Sequence, residues 1–391
     1  EVFLVEKNPY LGGRVAQLNQ YFPKLCPPTC GLEINFRRIK DNPRIKVLTL
    51  AEVESVTGDP GNYEVAVKVN PRYVNENCTC CDACAQACQA EIDSEYDFGM
   101  KKIKGAYLPF EMAFPARYVI APEIIGTSDA NRIKEACKYD AVDLEMEAKT
   151  LNLNVGAIVW STGWQPYDAA KIDYLGFGEY PNIITNMMME RLAAPNGPTQ
   201  GKILRPSDNK EPQSVAFVQC AGSRDENHLP YCSYICCMAS LKQATYVRER
   251  YPDAKIYVFY IDLRTPGYRY ERFYQTIKED ENIFLIKGKV AEVSEDASTN
   301  NVTVVAENAV TGEKIYQEVD LVVLATGMQP TAAIDKLPAD LQYNEDGFIV
   351  NDFEKGGMFA AGCANKPADV VSSNQNATGM ALKAIQTLVS R

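Results

Sequence analysis

Apolar runs closed by a glycine or a polar turn alternate along this chain with stretches of helical period. Val215 to Val218 is apolar and β-branched and reads as a buried strand. A helical pattern follows from near Met238, and Ala254–Tyr260 (AKIYVFY) reads as the next strand. Glu1–Lys7 (EVFLVEK) is another apolar strand, ending in an acid and followed by Gly12-Gly13-Arg14. From Lys46 to Val69, three short alternating segments broken by Gly58-Asp59-Pro60-Gly61 predict a β-meander. Val155–Gly163 (VGAIVWSTG) and Asp320–Gly327 (DLVVLATG) are two strands ending in S/A-T-G, and a helix is expected from near Asn374. Strands interleaved with helices place the chain in the α/β class.

The unit from Ser214 to Tyr260 is the kind that usually holds a dinucleotide, with glycines in its first loop so that backbone approaches a pyrophosphate. Here that loop carries Cys220, Cys232, Cys236 and Cys237, spaced C-x11-C-x3-C-C. Four thiolates on one strand-to-helix loop suit an iron–sulfur cube or a tetrahedral zinc ion. Buried cysteines acting as small apolar residues are the plain alternative. Adjacent Cys236 and Cys237 both ligate only if the helix begins irregularly, so a distorted first turn is expected.

Composition narrows the chemistry. The chain has 391 residues, enough for two or three domains, with 46% hydrophobic and 23% charged residues. A net charge of −11 argues against nucleic acid and against direct docking on an anionic membrane. No apolar run approaches the ~20 residues of a membrane span. Thirteen cysteines at metal-like spacing point to a reducing compartment rather than a disulfide framework. The single histidine, His228, all but excludes Ser-His-Asp and Cys-His catalysis and a His-rich metal site. What chemistry remains belongs to cofactors.

Glu6 stands where the second strand of a dinucleotide fold ends in a ribose-binding acid, and Asp262 (in YIDLR) stands at the equivalent place in the middle of the chain. In isolation a chance acid on a surface strand is the favoured reading of Glu6; the C-terminal motifs shift the weight to ribose binding. The first strand, with its G-x-G-x-x-G loop, is expected about 20–30 residues upstream of Glu6. Cys78, Cys81, Cys84 and Cys88 form C-x2-C-x2-C-x3-C, the bacterial ferredoxin run, with Gln89 in place of the usual proline and Cys80 as a fifth thiol. Ala136–Leu144 resembles the end of a second such run in which Thr127, Ala130 and Ile133 stand where three ligands belong. One [4Fe-4S] cluster is therefore expected on Cys78, Cys81, Cys84 and Cys137, with Cys88 the competing fourth ligand. Cys26 and Cys30 form a C-x3-C pair that reads equally as a redox disulfide, a partial metal site or two unrelated thiols.

LVEKNPYLGGR, the ferredoxin run, VWSTG, VQCAGSRD…YCSYICCMASLKQA, YIDLR and GMFAAGC together make the chain resemble the A-subunit of heterodisulfide reductase and its relatives over essentially its whole length. Its short form is similar to the A-subunit of the quinone-interacting membrane-bound oxidoreductase complex of sulfate reducers. The resemblance implies two thioredoxin-reductase-like dinucleotide-binding domains with a ferredoxin-like insert, the first βα unit lying outside this sequence. The expected parts are FAD-binding 1–70, insert 71–145, FAD-domain return strands 146–168, a cluster-bearing NAD-like domain 169–318, and FAD-binding 319–391. It implies FAD and two [4Fe-4S] clusters. FAD-binding positions are Glu6, Lys7, Gly12, Gly13, Arg14, Val53, Thr162, Gly163, Gly327, Gly362, Cys363 and Asn374. Cys363 replaces an aspartate usual at its position, and the helix near Asn374 is expected to point its positive end at the flavin. The implied role is to relay electrons between a membrane quinol-reactive subunit with haem b and adenylylsulfate (APS) reductase, beside a second flavoprotein subunit of the same type. The setting is cytoplasmic, held at the membrane by a partner. An NAD(P)H-dependent disulfide oxidoreductase and an electron-bifurcating flavoprotein of the heterodisulfide reductase type are the alternatives.

Overall fold

The computed structural model describes residues 1–22 and 24–389. β1 (Val2–Glu6) is followed by the short α1 (Gly13–Ala16). α2 (Thr29–Asp41) then leads to β2 (Ile45–Thr49), which pairs in parallel with β1 and sets Glu6 opposite Thr49. β3 (Ala51–Asp59) and β4 (Asn62–Val69) form a hairpin in which Tyr63, Val65 and Val67 alternate inward, as period-2 patterning requires.

Between 70 and 148 the chain leaves this meander. α3 (Ala83–Ala87) precedes the hairpin of β5 (Glu91–Asp93) and β6 (Lys102–Lys104). β7 (Ala106–Tyr107) pairs with β8 (Val119–Ile120), and α4 (Ser128–Ala136) packs on α3. Val74 and Val142 bridge where the chain enters and leaves this insert. Ala130 and Ile133, at two positions where a second ferredoxin run would carry cysteines, lie in the insert's apolar core. Packed side chains fill that space.

β9 (Lys149–Val155) returns to complete the meander on β4, and β10 (Ile158–Trp160) and β11 (Trp164–Pro166) follow. The middle of the chain then builds β12 (Ile183–Thr185), α5 (Asn186–Ala193), β13 (Ser214–Ala221), α6 (Cys236–Arg250), β14 (Lys255–Tyr260), α7 (Tyr268–Lys278) and β15 (Ile283–Lys287). An antiparallel meander of β16 (Val290–Glu295), β17 (Val302–Glu307) and β18 (Lys314–Val319) precedes β19 (Leu321–Thr326). The parallel sheet runs β12–β19–β13–β14–β15. Layers on both faces explain why Leu321 to Ala325 is an unbroken, fully buried apolar run.

This topology corrects the expected boundary at 319. β19 is a central strand of the middle sheet, and the chain crosses back only at β20 (Met328–Pro330), antiparallel to β11. The two S/A-T-G strands look alike because each is an apolar strand that ends at this crossing, yet β19 is fully buried, β10 exposes Val159, and they belong to different sheets. α8 (Thr331–Ile334), β21 (Gln342–Tyr343) and β22 (Ile349–Val350) lead to β23 (Met358–Ala360), parallel to β10, and to α9 (Val370–Val389). No helix among the described residues is long and apolar enough to cross a membrane.

Two neighbouring charges on α5 tie these parts together. Arg191, 1% exposed, meets Asp97 of the insert, 2% exposed, at 2.9 Å, and its guanidinium lies 4.6 Å from the centre of the Tyr96 ring. Arg191 also donates to the Gln17 carbonyl, beyond α1. Glu190 pairs with Lys242 of α6 at 3.0 Å and accepts from Gln243, Tyr246 and the Asn19 backbone N–H. Removing one partner of a buried pair strands the other charge, at about 3–5 kcal/mol. Asp97→Ala should lower the unfolding free energy by that order in urea titration, well beyond the effect of Lys102→Ala, whose partner Asp93 is exposed. Equal midpoints for the two variants would show that Arg191–Asp97 does not hold the insert.

Candidate functional site

A cavity of about 1210 Å³ opens where β1, the end of β10, the start of α9 and the insert meet. Glu6, Gly13, Arg14, Thr162, Gly163, Gly362 and Cys363 line it. Gly13 and Gly163 stand at φ 51° and 68° with open space where a side chain would begin, leaving bare backbone at the wall. One Glu6 carboxylate oxygen accepts the Asn8 N–H at 2.8 Å, and burial raises the carboxyl above its ordinary value. Arg14 is held by Gln165, by Gln17 at 3.0 Å and by the Trp164 carbonyl, with its guanidinium 5.7 Å from the centre of the Phe98 ring. The buried Thr162 hydroxyl has no partner among the described residues. An unpaired hydroxyl, bare backbone at two glycines and a half-buried acid suit a polar dinucleotide with a flat ring system.

The other expected cavity residues lie elsewhere. Lys7 is exposed and pairs with Glu52 and Asp335. Gly12 caps α1 at φ 116°. Val53 packs inside the β3–β4–β9 meander. Asn374 is exposed because α9 begins at Val370, where Asp369 accepts the Ser372 N–H at 2.7 Å. Two residues turn a helix through roughly 200°, and it is Asn376 that accepts the Gly362 N–H at 2.8 Å. Cys363 is half-buried and directs its thiol to the Ala368 carbonyl.

The second assembly is the β13–α6 loop. A bulge between Val218 and Ala221 puts Cys220 at φ 57°. Burial, then the neighbouring Cys237 and Cys232, push Cys220 up to about 11. Cys236 is raised well above its ordinary range by burial and then by Cys220, Cys237 and Cys232. Cys236 and Cys237 are buried, and Cys220 and Cys232 are half-buried on the same loop. The expected distortion of the helix start lies one step earlier: α6 is helical from Cys236, and the sharp turn is at Tyr234, φ 68°. Asp262, at the ribose-binding position of this unit, pairs instead with Arg224 of the loop at 3.1 Å. His228 bonds the Tyr167 hydroxyl at 2.9 Å.

In the insert, burial and then Cys78 and Cys81 push Cys84 up to about 12, and Cys80 is up to about 11 through burial and Cys78. Cys137 packs on the core that Cys78, Cys80 and Cys84 also touch. Cys88 is buried with its thiol on the Ala90 carbonyl. Among the described residues, no three His, Cys, Asp or Glu side chains stand in a metal-holding arrangement. The donor chemistry of both sets, four or more thiols without a histidine, nevertheless fits iron–sulfur clusters or zinc. Cys26 and Cys30 sit beside the Tyr21 hydroxyl, outside the large cavity.

No family model matches the chain. Among curated proteins, the CoB–CoM heterodisulfide reductase iron-sulfur A-subunit 2 of Methanopyrus kandleri is 38% identical over 402 residues, covering 100% of this chain and 61% of its own length. The iron-sulfur A-subunit of the same reductase from Methanocaldococcus jannaschii is 37% identical, over 97% of this chain and 60% of that protein. The chain belongs to the heterodisulfide reductase A-subunit family. It spans about 50–61% of the length of such relatives. Thioredoxin reductases of Lactococcus lactis (TM-score 0.53, 11% identity) and T. acidophilum (0.50, 14%) cover all of this chain and 91% and 90% of their own, and share its fold. That fold is the thioredoxin-reductase-like pair of dinucleotide-binding domains expected from the sequence.

Within this member of the family, sequence reasoning missed the insert's share of the cavity wall, Ser94 to Tyr96 with Phe98 and Gly99. Its one trace is the aromatic YDFG segment. Gly327, expected at the flavin, serves the cysteine loop instead: a Cβ there would stand 2.4 Å from the Ser223 Oγ and 2.6 Å from a Leu229 methyl. Gly327→Ala should cost about 1–3 kcal/mol by overpacking, seen as a lower urea midpoint, while flavin absorbance per chain stays unchanged. Selective loss of flavin would return Gly327 to the cavity.

Proposed function

We propose that this chain is a flavin and iron–sulfur electron-transfer component of a multi-subunit reductase, an oxidoreductase. The observation that carries the reading is the β13–α6 loop, which carries four cysteines around the turn that in a dinucleotide domain receives a pyrophosphate. FAD is assigned to the large cavity, against Glu6, Gly13, Arg14, Thr162, Gly163, Gly362 and Cys363. One [4Fe-4S] cluster is assigned to Cys220, Cys232, Cys236 and Cys237. A second is assigned to Cys78, Cys81, Cys84 and Cys137, with Cys88 the rival fourth ligand. When bound, these groups supply the passage between two-electron and one-electron transfer. The protein's share is orientation: Glu6 takes ribose hydroxyls, Arg14 brings positive charge to the cavity wall, and Arg191–Asp97 fixes the insert to the middle domain.

We infer as its setting a relay between a membrane quinol-reactive subunit carrying haem b and APS reductase, with a second flavoprotein subunit of the same type. The chain then lies on the cytoplasmic side, held by its partners. Support comes from the likeness of its motifs to the quinone-interacting complex. A second setting is favoured by the names of relatives such as the A-subunit of the H2/formate:CoB–CoM heterodisulfide,ferredoxin reductase of Methanococcus maripaludis. Assaying the native complex with a quinol and with CoB–CoM heterodisulfide separates them. An NAD(P)H-dependent disulfide reductase is opposed by the thiols and the Arg224–Asp262 pair standing in the nicotinamide-side loop.

Cys236→Ala should remove about four irons per chain and leave FAD bound; unchanged iron would sink the loop assignment. Glu6→Ala should weaken FAD binding to flavin-stripped protein by on the order of 1.5–3 kcal/mol, ~10–150-fold, with both iron sites intact. Equal affinities would make Glu6 an ordinary carboxylate.

A further inference from the structure

β13 sends alternate side chains to opposite layers. Val215 and Phe217 join the core that α6 covers with Met238 and Leu241, while Ala216 and Val218 join the other. Gln219 lies in the bulge between Val218 and Ala221, next to Cys220 at φ 57°. It is 5% exposed, and neither its Oε1 nor its Nε2 has a partner among the described residues. On α6, Ser240 lies one turn beyond Cys236 on the same face, 0% exposed, and its Oγ is likewise without a partner. The Cys236 thiol itself reaches the Thr326 carbonyl on β19, the strand beside β13. Buried side-chain polar groups are nearly always hydrogen-bonded, and an orphan asks for a reason. Here two orphans adjoin the cysteine loop, one beside Cys220 on the strand and one a turn beyond Cys236 on the helix.

We propose that Gln219 and Ser240 are positioning residues that donate hydrogen bonds to the sulfur atoms of the cluster held by Cys220, Cys232, Cys236 and Cys237, and that they raise its reduction potential. This rests on the loop's assignment as a cluster site. An N–H or O–H pointed at sulfur stabilises the reduced state, which carries one more negative charge, more than the oxidised state. The pair therefore does for the cluster what outer hydrogen bonds do for other metal sites, from positions that carry no ligand atom.

The test is redox-titrated electron paramagnetic resonance of the iron-loaded chain, wild type against Gln219→Met and Ser240→Ala. Cys236→Ala identifies which signal belongs to the loop. Each donor variant should keep its iron and FAD and shift only the loop signal to lower potential. The expected shift is about tenfold in the reduced-to-oxidised ratio, about 59 mV for a one-electron couple. Full iron with unchanged loop potentials in both variants would overturn the proposal. Should Gln219→Met fail to load, Ser240→Ala, which removes only a hydroxyl, decides it alone. Iron content indifferent to Cys236→Ala would overturn the loop assignment and this inference together. Iron loss there with fixed potentials in the donor variants would overturn the inference only.

Discussion

Glu190 and Arg191 are neighbours on one helix, carry opposite charges, and both lie in an almost dry interior. Each charge is tolerable only because a different segment brings its counter-charge: Asp97 from the insert for Arg191, Lys242 from α6 for Glu190. Backbone from the amino-terminal part completes both shells through the Gln17 carbonyl and the Asn19 N–H. A buried pair adds little net stability over apolar packing, but breaking it is costly, so its chief effect is to make misplacement expensive. Three stretches far apart in sequence are thereby committed to one arrangement. The cavity and both thiol sets lie on the parts so committed.

On the proposed assignment, the cysteine loop is a dinucleotide turn given over to another ligand chemistry. A phosphate loop needs bare backbone; a thiolate loop needs side chains aimed inward from several turns of chain. The bulge after Val218 and the left-handed residues Cys220, Arg224 and Tyr234 supply those turns. Gly222, at φ 73°, runs against the Tyr167 ring, where a Cβ would come within 2.5 Å, so this stretch cannot carry a side chain. Burial and neighbouring thiols raise Cys220 and Cys236, and burial raises Cys237, which favours neutral cysteines, so a metal bound there as proposed would expel protons. Loop order and metal binding are linked on that account.

Much of this is legible in the sequence, because strands buried on both faces and closely spaced cysteines leave patterns that survive any tertiary context. The α/β class, the two dinucleotide-binding domains and the meander read directly. What does not read is direction within an element. Asn374 and Asn376 differ by two positions, yet only the second faces Gly362, and the register follows from a cap at Asp369 that the apolar pattern conceals. Gly327 and Gly163 end similar motifs, yet one meets the cysteine loop and the other the cavity. Val53 reads as a site residue by its position in the meander and is meander core. Contacts made across long separations, such as Arg191 with Asp97, have no local trace at all.

The insert is more than a carrier of thiols. Tyr96 and Phe98 stand on either side of Asp97, and both rings line the cavity while the acid between them is locked to Arg191. The Tyr96 hydroxyl donates to the Ala16 carbonyl, and Phe98 lies against the Arg14 guanidinium. One turn of chain therefore closes the cavity, contacts the residue that brings positive charge to it, and anchors the segment to which the insert's cysteines belong. The middle domain fixes that turn through α5, whose next-door residue Glu190 is bonded to the helix that begins with Cys236. Cavity and cysteine loop are thus joined through two adjacent α5 residues and the partners those residues require. Relieving the burial of either charge would free the parts to move, and on the proposed function that would unfix the spacing between electron carriers.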